Sequence, residues 1–112
     1  MHRSGTSLLG GILQRLGVML PGETIAGDQY NPEGYFEWDE VVAIQERLLI
    51  DLQRWWPALE GTFPLPDGWL QHPATRQAYG QLHALVSEAV VHQKGLWAIK
   101  DPRSSRLLPL WL

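Results

Sequence analysis

The chain contains no cysteine, which excludes disulfide staples, thiolate nucleophiles and cysteine-ligated metals. It has no apolar run approaching the roughly 20 residues that a membrane-spanning helix requires. Nothing resembling a secretory leader precedes its first motif, so the expectation is a cytoplasmic protein with no membrane partner. An excess of basic residues is also missing: nine Lys and Arg against twelve Asp and Glu give a net charge of -3. That balance argues against a protein that lives on nucleic acid, because neutralising phosphates takes a basic surface. A basic pocket for one anionic ligand is compatible with it, since overall charge says little about a single site. No internal repeat, low-complexity tract or linker interrupts the chain.

What is present reads as one small domain. The chain has 112 residues, 45% of them apolar and 19% charged, a globular balance at a length too short for two ordinary domains. Six tryptophans in so short a chain imply large aromatic surfaces needing cover, expected to come partly from outside this chain.

Leu8, Leu9, Ile12, Leu13 and Leu16 share one face at helical spacing, and Gly17 suits the end of that helix. Gly10 and Gly11 lower its propensity but allow close approach to a neighbouring backbone. A turn-rich stretch from Pro21 to Gly34 follows. Asp39 is the expected N-cap of a second helix carrying Val41, Val42, Ile44, Leu48, Leu49 and Leu52, ended by Trp55-Trp56-Pro57. Leu59 to Pro73 reads as an ordered loop. A third helix starts near Pro73, burying Ala78, Leu82, Leu85, Val86, Ala89 and Val90, and closes at Lys94-Gly95. Leu96-Trp97-Ala98-Ile99 is the strand candidate, and a last helix is expected from Ser104. One strand has no partner for its backbone groups, so its neighbours are expected outside this chain.

Arg3-Ser4-Gly5-Thr6-Ser7 has the makings of a phosphate loop. Glycine lets successive N–H groups converge, and the helix start adds further unpaired ones. The hydroxyls of Ser4, Thr6 and Ser7 add hydrogen bonds, and Arg3 offers a charged fork. Gly5-Thr6-Ser7 stands where a nucleotide P-loop carries Gly-Lys-Ser/Thr, so the lysine that reaches a γ-phosphate is missing and an ordinary ATPase or GTPase is disfavoured. An N-cap and a solvated terminal charge would explain the same residues.

His2 to Ser7 before an apolar helix resembles the 5′-phosphosulfate loop of PAPS-dependent sulfotransferases, in the bacterial variant with arginine before Ser-Gly-Thr. Asn31-Pro32-Glu33-Gly34-Tyr35-Phe36-Glu37 resembles the segment following the first helix in that family. Trp97-Ala98-Ile99-Lys100-Asp101-Pro102-Arg103, with Leu107-Leu108-Pro109-Leu110-Trp111, resembles its Lys-Asp-Pro-Arg block. The three stand in the family's order and span nearly the whole chain. The resemblance implies an α/β P-loop-type sulfotransferase fold, truncated and mostly helical in the portion present, with residues 1–112 as the N-terminal part of a single domain. It implies PAPS (3′-phosphoadenosine 5′-phosphosulfate) as donor, no metal, and sulfonyl transfer to a hydroxyl or amine of a small-molecule or glycan acceptor. Arg3, Ser4, Gly5, Thr6 and Ser7 would hold the 5′-phosphosulfate, with Arg3 stabilising the bridging oxygen, and Glu37 would face the acceptor.

Lys100-Asp101-Pro102-Arg103 follows the strand candidate, where open α/β sheets place ligands. Lys100 or Arg103 can neutralise an anionic substrate or the transferring group, and Asp101 can accept the acceptor's proton. An Asp-Arg ion pair or a cap at Asp101, Ser104 or Ser105 is the structural alternative. Cytosolic sulfotransferases carry a catalytic histidine two positions after the equivalent lysine. Pro102 stands there, so that role does not transfer. His72, His83 and His92 form no metal set. Two features of the family are missing: a strand before the loop, and an arginine and serine for the 3′-phosphate after the next strand. The expectation is a fragment inactive by itself. A helical protein-interaction module and a divergent P-loop kinase are the competing readings.

Overall fold

Three α-helices carry most of the regular structure in the computed structural model, which describes residues 5–32 and 34–112. They are α1 (Thr6–Arg15), α2 (Asp39–Asp51) and α3 (Pro73–Val90), joined by loops that include four short 3₁₀ turns. α2 packs against α3 through Val41, Leu48, Leu49, Leu52, Ala78 and Leu82, and the C-terminal turns add Leu107 and Leu110. The result is a compact, mostly helical domain. Among the described residues no helix is long and apolar enough to cross a membrane.

α3 begins where Pro73 predicts it. Proline at the first helical position sacrifices no intrahelical bond, and the His72 Nδ1 caps the end by accepting from the Ala74 N–H at 3.2 Å. α2 begins at Asp39 itself, with Trp38 as N-cap and Asp39 and Glu40 in the first turn, where carboxylates suit the helix dipole. It ends earlier than the Trp55-Trp56-Pro57 brake implies. The Arg54 N–H reaches back to the Leu49 carbonyl at 2.7 Å and the Gln53 N–H to that of Ile50 at 2.9 Å, a Schellman closure. That closure holds Gln53 at φ 55°, a left-handed position normally given to glycine. Gln53→Gly is therefore expected to raise stability by about 0.5–1 kcal/mol, read as a higher urea midpoint at unchanged slope.

The strand expected over Leu96–Ile99 reduces to one parallel bridge between Met19 and Trp97. Met19 N–H donates to the Leu96 carbonyl at 3.0 Å, and Ala98 N–H to that of Met19 at 2.9 Å. The partner expected from outside is thus, for this pair of bonds, the segment after α1. An antiparallel bridge joins Thr24 to Trp38, and Ile25 and Asp39 N–H groups bond the Glu37 and Glu23 carbonyls across it. The helix expected from Ser104 is replaced by 3₁₀ turns at Pro102–Ser105 and Leu108–Leu110. Pro109 has no N–H to continue an α-helical ladder there.

α1 forms where its periodicity places it, but its apolar face does not enter the core. Leu8 and Leu16 are 70% and 74% exposed. The close approach at its glycines, expected of a neighbouring backbone, is made by the Phe36 side chain, whose Cβ would lie 2.9 Å from a methyl added at Gly10.

Candidate functional site

The loop residue Gly5 adopts φ 77° directly before α1, and no side chain caps that helix end. The first N–H groups of a helix have no intrahelical partner, so the start of α1 offers backbone donors to an anion. Ser7, one residue into the helix, accepts from Asn31 Nδ2 at 3.2 Å and from Lys100 Nζ at 3.4 Å. Both hydroxyl lone pairs are thereby used, and its O–H remains a donor. Arg3 and Ser4 lie outside the described residues.

Asn31 is fixed by the turn before it. Asp28 Oδ1 accepts from the Tyr30 and Asn31 N–H groups at 2.8 and 3.0 Å, and Asn31 Nδ2 also donates to the Gly34 carbonyl at 2.6 Å. Tyr35 donates its hydroxyl to Asp28 Oδ2 at 2.8 Å. That bond, with the backbone donors, holds the Asp28 carboxyl below the usual range, and the same carboxylate pushes the Tyr35 phenol above its own. The Asp28 contribution to stability is present above about pH 4 and is lost as pH falls through its lowered folded value; the Tyr35 contribution is present below about pH 10 and is lost as pH rises through its raised one. Asp28→Asn is expected to bring the Tyr35 phenol back toward its ordinary value, which an NMR titration of the tyrosine ring carbons reads directly.

Lys100 collects all three motifs. Its ammonium donates to Ser7 Oγ, to the Tyr35 carbonyl at 3.0 Å and to Glu37 Oε1 at 2.5 Å. Three donors serve three partners, so Lys100 is satisfied. The Glu37 side chain is only 9% exposed and also receives Arg103 Nη1 at 3.4 Å. Arg103 then bonds Asp101 Oδ1 at 2.8 Å and Glu46 Oε1 at 3.0 Å. Burial pulls the Arg103 pKa down, but Asp101 and Glu46 outweigh it and the net direction is upward. Its buried Nε has no hydrogen-bond partner. Two cations thus face three carboxylates, and the cluster as a whole does not attract anions. At its edge Lys100, Ser7 and the start of α1 meet.

Asp101 has no exposed side-chain surface. Oδ1 accepts from the Arg103 N–H at 3.0 Å as well as its guanidinium, and Oδ2 accepts from Gln45 Nε2 at 2.7 Å. Both oxygens are engaged, one capping the 3₁₀ turn that follows. Gln45, fully buried, holds this corner by also accepting from Trp111 Nε1 at 3.2 Å. It was absent from the sequence-based site, although a glutamine between Val41, Leu48 and Leu49 on a helix face is a recognisable sign of a buried polar contact.

Glu37 and Arg103 line a pocket of about 380 Å³ whose other walls include Ile25, Leu49, Trp56 and Arg106. Glu37 therefore stands between this pocket and Lys100. Among the described residues no group of three His, Asp or Glu side chains converges as metal ligands would. No family model, no curated protein and no solved structure matches this chain.

Proposed function

We propose that the chain carries the donor grip and the acceptor-side base of a PAPS-dependent sulfotransferase. The start of α1, with Gly5, Thr6 and Ser7, holds the 5′-phosphosulfate, and Lys100 exchanges its long bond to Ser7 for a donor oxygen. Arg3 and Ser4 are assigned to the same grip by the motif alone. The acceptor hydroxyl or amine enters the pocket and loses its proton to Glu37. Its oxygen or nitrogen bonds the sulfur as the bond from sulfur to the bridging oxygen breaks, leaving adenosine 3′,5′-bisphosphate. Asp101, whose side chain has no exposed surface while Glu37 lines the pocket, is assigned a positioning role that holds Arg103 against Glu37. Catalysis then rests on positioning and fixed charge. The fold we assign is the α/β P-loop type, with the Met19–Trp97 bridge as a part of its parallel sheet.

One observation carries this reading. Ser7, Tyr35 and Glu37, which stand 93, 65 and 63 positions from Lys100, meet at its ammonium. A helix start after a glycine turn and a buried carboxylate that lines the pocket are thereby joined through one lysine. Thermal denaturation with ligands tests it. Adenosine 3′,5′-bisphosphate is expected to stabilise the chain, by about 2.7 kcal/mol at a hundred times its Kd, and ATP-Mg is not. Stabilisation by ATP-Mg alone would favour the kinase reading, and response to neither the interaction module. Lys100→Met should weaken bisphosphate binding by about tenfold or more, the effect of removing a charge-assisted hydrogen bond.

A further inference from the structure

We infer that the pocket beside Glu37 takes an apolar hydroxy acid, with the carboxylate of that acid received by Arg106. The inference deepens the reading of this pocket as the acceptor site and rests on it. The pocket's two cations differ in their surroundings. Arg103 faces Asp101, Glu46 and Glu37. Among the described residues Arg106 bonds carbonyl oxygens only: Nη1 donates to Gly61 at 2.6 Å and to Arg54 at 3.4 Å, and Nη2 to Phe63 at 2.5 Å. Carbonyl dipoles solvate a guanidinium without neutralising it. Of its five N–H groups three are used, and no described carboxylate lies within ion-pair distance. The wall of this pocket thus carries a guanidinium with no carboxylate partner among the described residues, and an anionic group on the ligand is what complements it.

The rest of the lining selects the body of the ligand. Ile25, Leu49, Trp56 and Pro102 are apolar. Tyr35 is committed to Asp28, and Glu37, with one donor on each oxygen, keeps lone pairs for the single acceptor hydroxyl. A sugar ring would bury several hydroxyls against these walls without partners, which is unfavourable for each one. An aliphatic or aromatic body loses nothing there, and about 380 Å³ accommodates one or two rings. A cationic acceptor is disfavoured by Arg106 itself.

The test compares 6-hydroxy-2-naphthoate with neutral 2-naphthol by calorimetric titration at low ionic strength. The naphthoate is expected to bind about tenfold tighter or more, and the preference should shrink as salt screens it. Arg106→Gln should abolish the preference. Because Arg106 also ties down the loop bearing Gly61 and Phe63, Arg106→Lys, which keeps the charge, should retain part of it. Equal affinity for the two compounds in the natural chain, or binding of neither, would overturn the inference. A parallel titration with adenosine 3′,5′-bisphosphate separates the two readings. Naphthoate preference without a bisphosphate response supports the pocket's ligand class and removes sulfonyl transfer; the reverse result supports the donor site and removes the hydroxy acid.

Discussion

Glu37→Ala is expected to lower the unfolding free energy by about 3–5 kcal/mol, the usual consequence of removing one partner from a buried ion pair. Glu37 receives both Lys100 and Arg103, and all three side chains are at least 85% shielded, with exposures of 9%, 11% and 15%. Deleting the carboxylate leaves Lys100 with the Ser7 hydroxyl and a carbonyl, neither of which carries charge. For a chain of this length the loss corresponds to a fall of about 10–20 °C in Tm. Glu37→Gln should be milder in stability, because the amide fills the same space and still accepts a hydrogen bond. In ligand binding the two accounts diverge. If Lys100 serves the donor, releasing it from the opposing charge tightens adenosine 3′,5′-bisphosphate binding several-fold. A purely structural ion pair predicts no change in affinity.

The second large effect lies at Gly22, against the core residue Trp38. Gly22→Ala is expected to destabilise by about 3 kcal/mol or more. Gly22 has φ 80°, and an added Cβ would stand 1.9 Å from Trp38 Nε1 and 2.2 Å from two further ring atoms. Trp38 is 4% exposed, belongs to the core and donates Nε1 to Glu40 Oε2 at 2.8 Å. The methyl group must displace the indole, which disrupts packing by about 1–3 kcal/mol and strains the hydrogen bond by about 1 kcal/mol. A left-handed conformation at alanine adds about 1 kcal/mol. Gly17→Ala supplies the control: its φ is 83° but nothing lies within 4 Å of the added carbon, so it should show the conformational part alone. Paired urea denaturation curves separate the two, and equal losses would refute the steric account.

α2 and α3 were legible because their apolar residues recur at helical spacing over 13 and 18 residues, and their starts carry local signals. Asp39 marks one start and His72-Pro73 the other. The C-terminal segment was harder. Leu107 and Leu110, three apart, satisfy a 3₁₀ turn as well as an α-helix, and only the lost donor at Pro109 distinguishes them. For α1 the helix was legible and its environment was not, since periodicity reports which residues share a face and says nothing of what covers it. The site divides in the same way. Gly5, Ser7, Glu37, Lys100, Asp101 and Arg103 could be named from local motifs, yet the ion pair joining Lys100 to Glu37 spans 63 positions. Such pairings are set by tertiary packing. The same applies to Asp101, whose two oxygens are claimed by Gln45 and Arg103.

The start of α1 and Lys100 are proposed to form one anion grip for the donor. Amide-resolved NMR of the ¹⁵N-labelled chain, titrated with adenosine 3′,5′-bisphosphate, tests it most directly. Binding is predicted to shift the backbone amides of Gly5, Thr6, Ser7 and Leu8, with the response weakened in Lys100→Met and unmatched by ATP-Mg. Amides at the start of α1 that stay in place at saturating bisphosphate, or that move equally in Lys100→Met, would contradict it.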